Sequence, residues 1–151
     1  MTNAIHRPHW VPESGHRLCV IGVHFDAVRI EDGRGQLVAR GLVDAAGGDA
    51  GPIVYEMTGG RWVYFLLRPG SVHRHDWPLG VHRFGVTKFR TVTFVGVPAL
   101  EGNTWPLRWR SKPTRETPYV APELLLDAIV DVQNVVQEPS VTASPAPGRT
   151  R

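Results

Sequence analysis

Asp26 is where catalytic chemistry in this chain would have to begin, because it stands in Phe25-Asp26-Ala27-Val28-Arg29-Ile30, a run whose alternation predicts a strand. Two-metal phosphoryl transfer needs acidic side chains converging on Mg²⁺ at about 2.0–2.1 Å. On a strand, a second carboxylate sharing the face of Asp26 would stand two residues on, and that place is Val28. Glu31 and Asp32 fall in a segment read as a turn, where solvation explains them. His24 shares the strand face of Asp26, and the two could orient each other as an acid–base pair, but no serine or cysteine is assignable as a nucleophile beside them. His73 and His75 lie on one side of an extended segment with Arg74 between them and Asp76 pointing away, which opposes cation binding and reads as an exposed polar loop. Neither a catalytic residue, a metal site nor a cofactor is therefore expected.

The glycines give no phosphate loop. Gly33-x-Gly35 and Gly47-Gly48 lack the strand–glycine–helix context and the following Lys-Ser/Thr. Cys19 is the only cysteine, which rules out an internal disulfide and a thiolate cluster; within Leu18-Cys19-Val20-Ile21 it reads as a buried small hydrophobe. More specific is the interleaving of aromatics and arginines: Arg61, Trp62, Tyr64, Phe65 and Arg68, then Trp105, Arg108, Trp109 and Arg110. Rings beside guanidinium groups are the chemistry of nucleotide and single-strand binding, although the same pattern also describes core aromatics with arginines solvating the sheet's other face.

Charge is distributed in the same sense. Residues 61–115 hold ten basic side chains against two acidic, whereas residues 1–60 hold five against seven and residues 116–151 two against five. A central block of +8 suits phosphates, and it equally suits an acidic protein partner. No apolar stretch approaches the roughly 20 residues of a membrane helix. Met1 to Pro12 has no apolar h-region, so no secretory signal and no membrane partner are expected, and a cytoplasmic location is. Of the 17 basic residues only Lys88 and Lys112 are lysines, a usage typical of GC-rich, actinobacterial genomes.

The elements that must position these residues can be read in order. Residues 1–15 are expected as a poorly ordered arm able to lay Trp10 on the body. A strand follows from Leu18 through Ile30, with a possible turn near Asp26-Ala27, then a turn at Glu31–Gly35 and a helix over Gln36–Ala46 stopped by Gly47-Gly48. Pro52–Met57 and Arg61–Leu67 form a hairpin about Thr58-Gly59-Gly60. Trp62, Tyr64 and Leu66 share one face of the second strand while Val63, Phe65 and Leu67 share the other, so this strand is central and covered on both sides. Short strands are expected at Val81–Phe84, Thr91–Val97 and Leu107–Arg110, and a helix from Ala121-Pro122 to about Val136, with a disordered tail over 138–151. The whole predicts one α+β domain over 16–137, with a mostly antiparallel sheet, one helix between early strands and one at the C-terminal end.

Taken together, Phe25-Asp26-Ala27-Val28, the following helix, Gly59-Gly60-Arg61-Trp62-Val63-Tyr64-Phe65, Val81–Phe84, Thr91–Ala99 and Glu101-Gly102 through Trp109 resemble, over about residues 18–112, the N-terminal domain of bifunctional DNA primase/polymerases, an archaeo-eukaryotic primase-like family. That pattern has Asp-x-Asp on a strand, Gly-Gly-Arg-His-x-Tyr-Phe in the hairpin and a third acid on a later strand. The resemblance implies a reduced primase-polymerase-like core in which Asp26 takes the first ligand position. Val28 replaces the second acid, Trp62 the nucleotide-contacting histidine, and His82 or Arg83 the third acid. It therefore implies a degenerate relative without activity.

The leading expectation is a non-catalytic domain binding nucleic acid or nucleotide through Arg61, Trp62, Arg68, Arg83, Lys88, Arg90, Arg108, Arg110 and Lys112. The alternatives are an interaction or regulatory module with an acidic protein partner, and a divergent nucleotidyltransferase depending on Asp26.

Overall fold

The computed structural model describes residues 4–87 and 92–143, the last eight as backbone alone. Strands β1 (His16–Val20) and β2 (Asp26–Glu31) are followed by helix α1 (Asp32–Ala45), β3 (Ile53–Glu56), β4 (Trp62–Leu67), a 3₁₀ turn (Ser71–Arg74), β5 (His82–Phe84), β6 (Phe94–Pro98), β7 (Leu107–Ser111) and helix α2 (Pro122–Ala143). The fold is α+β. Five strands form an antiparallel sheet in the order β5-β2-β4-β3-β7, and β1 pairs with β6 in a separate antiparallel ribbon.

The alternation within β4 decides where the layers go. Val63, Phe65 and Leu67 face a core completed by Val28, Ile30 and Ile53 of the sheet, Val38 and Leu42 of α1, and Leu125 and Ile129 of α2. Leu66, together with half-buried Tyr64, faces a second core of Ala27, Val54, Phe25, Cys19, Val95 and Val97, which the β1–β6 ribbon covers. Trp10 and Val11 belong to this second core, Trp10 meeting the Phe25 ring edge-on at 5.1 Å. Residues 4–15, expected as a poorly ordered arm, are thus anchored by the apolar area these two side chains remove from water, about 1.5–3 kcal/mol for a large side chain.

Several boundaries differ from expectation. The strand anticipated through Leu18–Ile30 is two strands in different sheets, because the chain loops between Ile21 and Phe25, where these two residues form a parallel bridge and the Gly22 N–H donates to the Phe25 carbonyl at 2.8 Å. The turn expected at Glu31–Gly35 is mostly the first turn of α1. The Asp32 N–H is satisfied by the Arg61 carbonyl at 2.9 Å, so the helix starts from a tertiary contact rather than a side-chain cap. Helix α2 runs to Ala143, past the expected end at Val136 and into the segment 138–151 expected as a tail. The strand expected from Thr91 is described from Phe94 onward.

Gly35 explains why a helix tolerates its glycine. A Cβ there would lie 2.8 Å from the Val63 side chain and 3.0 Å from the Ile30 carbonyl, so α1 can sit on β4 only without a side chain at this position. At Gly33, in the same turn, nothing lies within 4 Å. Gly35→Ala is expected to destabilise the fold by about 1–3 kcal/mol through overpacking, although alanine is the better helix former. Gly33→Ala, under the same urea titration, is expected to stabilise it by about 0.5–1 kcal/mol.

Candidate functional site

Cross-strand register assembles a cluster at the end of the sheet that the ribbon leaves uncovered. Arg29 of β2 faces Tyr64 of β4 and His82 of β5; Glu31 and Glu56 face Trp62 from either side; Phe84 faces Ala27. Because side chains alternate across a strand, all of these lie on the face opposite the helices. The Arg29 guanidinium carbon stands 3.9 Å from the centre of the Trp62 ring and 5.2 Å from that of Phe84, so the cation is stacked between two aromatics. The Trp62 and His82 rings are 5.4 Å apart. Arg29 Nη2 and His82 Nδ1 are 3.0 Å apart; a guanidinium has donors only, so Nδ1 is the acceptor and the imidazole proton sits on Nε2. The Tyr64 hydroxyl donates to Glu56 Oε1 at 3.2 Å, and burial pushes the phenol up, which keeps it a donor.

Trp62 is thus neither free in a groove nor lost in the core. It is half-buried under Arg29, and the turn before it is shaped to admit it: a Cβ at Gly60 would strike the indole nitrogen edge, and Arg61 takes the left-handed conformation at φ 56°. Arg29 was not among the residues expected to bind. The available signal was a lone arginine between Val28 and Ile30 on an apolar strand, but only the pairing with β4 and β5 reveals that it lies over the Trp62 ring.

The other expected residues are dispersed. Arg61 and Arg68 stand beyond opposite ends of β4, roughly 23 Å apart at the rise of a strand. Arg83 is on β5 and Arg108 and Arg110 are on β7, the two outer edges of the five-stranded sheet, about 19 Å apart at four strand spacings. Arg68 lies over the Tyr119 ring at 5.0 Å, beside a cleft of about 520 Å³ shared with Arg74, His75 and Glu123. Arg110, two residues beyond Arg108 on the helix side of β7, reaches α1, where its Nε donates to Gln36 Oε1 at 3.2 Å. Lys112 approaches Glu101 at 3.9 Å and, with Arg110, lines a second cleft of about 530 Å³. Lys88 and Arg90 lie outside the described residues.

Asp26 is fully buried on the helix side of β2, the side of Val28 and Ile30. Its Oδ2 accepts the Val72 N–H at 3.2 Å, and the Gly70 N–H also points at the carboxyl, so Asp26 fastens the turn after β4. His24 meets His9, with ring centres 5.0 Å apart, and not Asp26. His75 pairs with Glu123 at 3.8 Å, and no group of three metal-ligating side chains occurs among the described residues. Compared with protein-family models, curated proteins and solved structures, the chain matches none.

Burial pushes the Asp26 carboxyl above the ordinary value of 3.8, against the smaller downward pull of the two N–H groups and His73. A carboxyl that keeps its proton longer when folded favours the native state below its unfolded value, and that advantage is lost as pH rises through the folded value. Asp26→Asn does not titrate. The stability margin of the natural chain over this variant in urea melts is therefore expected to narrow from about pH 3 to about pH 7; a margin that widens instead would show the ionised form to be the better buried one.

Proposed function

We propose that the uncovered end of the sheet is a platform for the bases of a single-stranded nucleic acid or a nucleotide, and that the protein is a non-catalytic binding module. The observation that carries this reading is the Phe84–Arg29–Trp62 stack, bordered by His82 and Tyr64 on one sheet face. With Arg29 held between them, the aromatic rings offer a base the π-surfaces it stacks on, at about 1–3 kcal/mol per base. Their positions are already fixed by strand pairing, so little side-chain entropy remains to be lost on binding. Arg61, next to Trp62, stands at the rim to meet phosphates, whereas Arg83, opposite Val28, points to the helix side of the sheet.

Two further features support a module that binds without reacting. Asp26 spends its carboxyl on the backbone of the turn after β4. The acids nearest Trp62, Glu31 and Glu56, lie in register on either side of it, where they favour contact with bases over contact with phosphates. On this reading the likeness to primase/polymerase domains is one of scaffold. Because the cations are spread over both sheet edges, stacking outweighs charge in the binding energy.

Labelled single-stranded oligonucleotides titrated at low salt are expected to bind. Trp62→Ala and Phe84→Ala should each cost roughly tenfold in affinity, and Arg108→Ala on the far edge little. The slope of log affinity against log salt is expected near −1 to −2, against about −6 if the whole eight-charge excess acted together. Absence of binding to any oligonucleotide at low salt overturns the reading.

A further inference from the structure

The outer side of the helix layer carries a second surface, independent of the sheet face. Helices α1 and α2 run antiparallel and approach closely where Gly41 meets Ala128, a Cβ on Gly41 coming within 4.0 Å of the alanine methyl. Between them lies a groove of about 240 Å³ walled by Leu37 and Gly41 on one side and Ala128, Val132 and Val135 on the other. Leu37 is 46% exposed and Val135 63%, high for apolar side chains that share one groove. The neighbouring Leu79 is 92% exposed, yet its carbonyl accepts from Arg34 of α1 at 3.3 Å and Gln133 of α2 at 3.5 Å, so this apolar tip is held at the groove's end.

Arg40, Asp44 and Asp131 stand at the rim, and none of the three makes an ion pair among the described residues. An apolar strip bordered by unused charges has the composition of an interface core and rim. We infer that this groove is the contact between two copies of the chain, packed about a two-fold axis with α2 of each copy lying across α1 of the other.

Charge selects that arrangement. Over residues 122–143, α2 carries Glu123, Asp127, Asp131 and Glu138 and no lysine or arginine, so α2 against α2 would set acid on acid. α2 against α1 sets Asp131 of one copy against Arg40 of the other, and the two-fold axis makes the same contact twice. The available face is that of two helices, one of them 14 residues long, or about 20 by 20 Å. That is small for a protein interface, so the proposed dimer is a weak, transient one that forms only at high protein concentration.

Sedimentation of the full chain from about 10 to 500 µM is the test, with circular dichroism melts to show that each variant keeps its fold. The natural chain is expected to pass from monomer to dimer across this range, and Leu37→Glu to remain monomeric. Arg40→Asp alone, or Asp131→Arg alone, should weaken association roughly tenfold, and the two combined in one chain should restore it. A chain that is monomeric throughout, or a dimer indifferent to Leu37→Glu, overturns the proposal. So does a dimer that Leu37→Glu abolishes but the combined exchange fails to restore, since α2 would then not lie on α1.

Discussion

β4 has no solvent side along most of its length, and the rest of the molecule is arranged around that constraint. Val63, Phe65 and Leu67 require a layer on one face, which α1 and α2 supply; Leu66 requires one on the other, which the β1–β6 ribbon and Trp10 supply. A two-faced apolar strand can exist only in the interior of a sheet, so β2 and β3 must flank it. The ribbon is too short to cover the whole second face. What it leaves bare is the stretch from Tyr64 to Trp62, and the aromatic and charged side chains collect there.

The sheet, both helices and the two-sided burial of β4 were legible because they rest on periodicity, which is local. The failures were also local in origin. Asp32 to Gly35 reads as a turn because two glycines and two charges favour one; the helix wins because the Arg61 carbonyl receives the first N–H and Val63 leaves room only for glycine at 35. Asp26 looked like a candidate for chemistry because strand parity says which residues share a face, not whether that face lies open or beneath a helix. The partners of Trp62 were the least legible part. Arg29, Glu56 and His82 come from three different strands, and only the pairing register brings them together.

The arginines show a related limit of reasoning from composition. A block of like charge in a sequence becomes a charged surface only if the fold folds it onto one side, and here successive strands carry it to opposite edges. Within that block Arg110 holds a helix side chain and Arg68 covers a tyrosine ring, and outside it Arg34 holds a loop carbonyl. The guanidinium group suits this use because its planar fork can donate hydrogen bonds and stack at the same time.

The β1–β6 ribbon joins residues from 74 positions apart, Val20 to Phe94, to 82 apart, His16 to Pro98, and shares no strand with the larger sheet. Contacts of such long range are among the last to form, and no strand pairing ties the ribbon to the five-stranded sheet. Lifting the ribbon would bare Cys19, whose thiol donates to the Trp10 carbonyl at 3.4 Å and is pushed up by burial, hence unreactive while the ribbon is closed. The one cysteine is therefore placed as a clock. The rate at which an alkylating reagent consumes it reads the opening of this half of the protein separately from global unfolding.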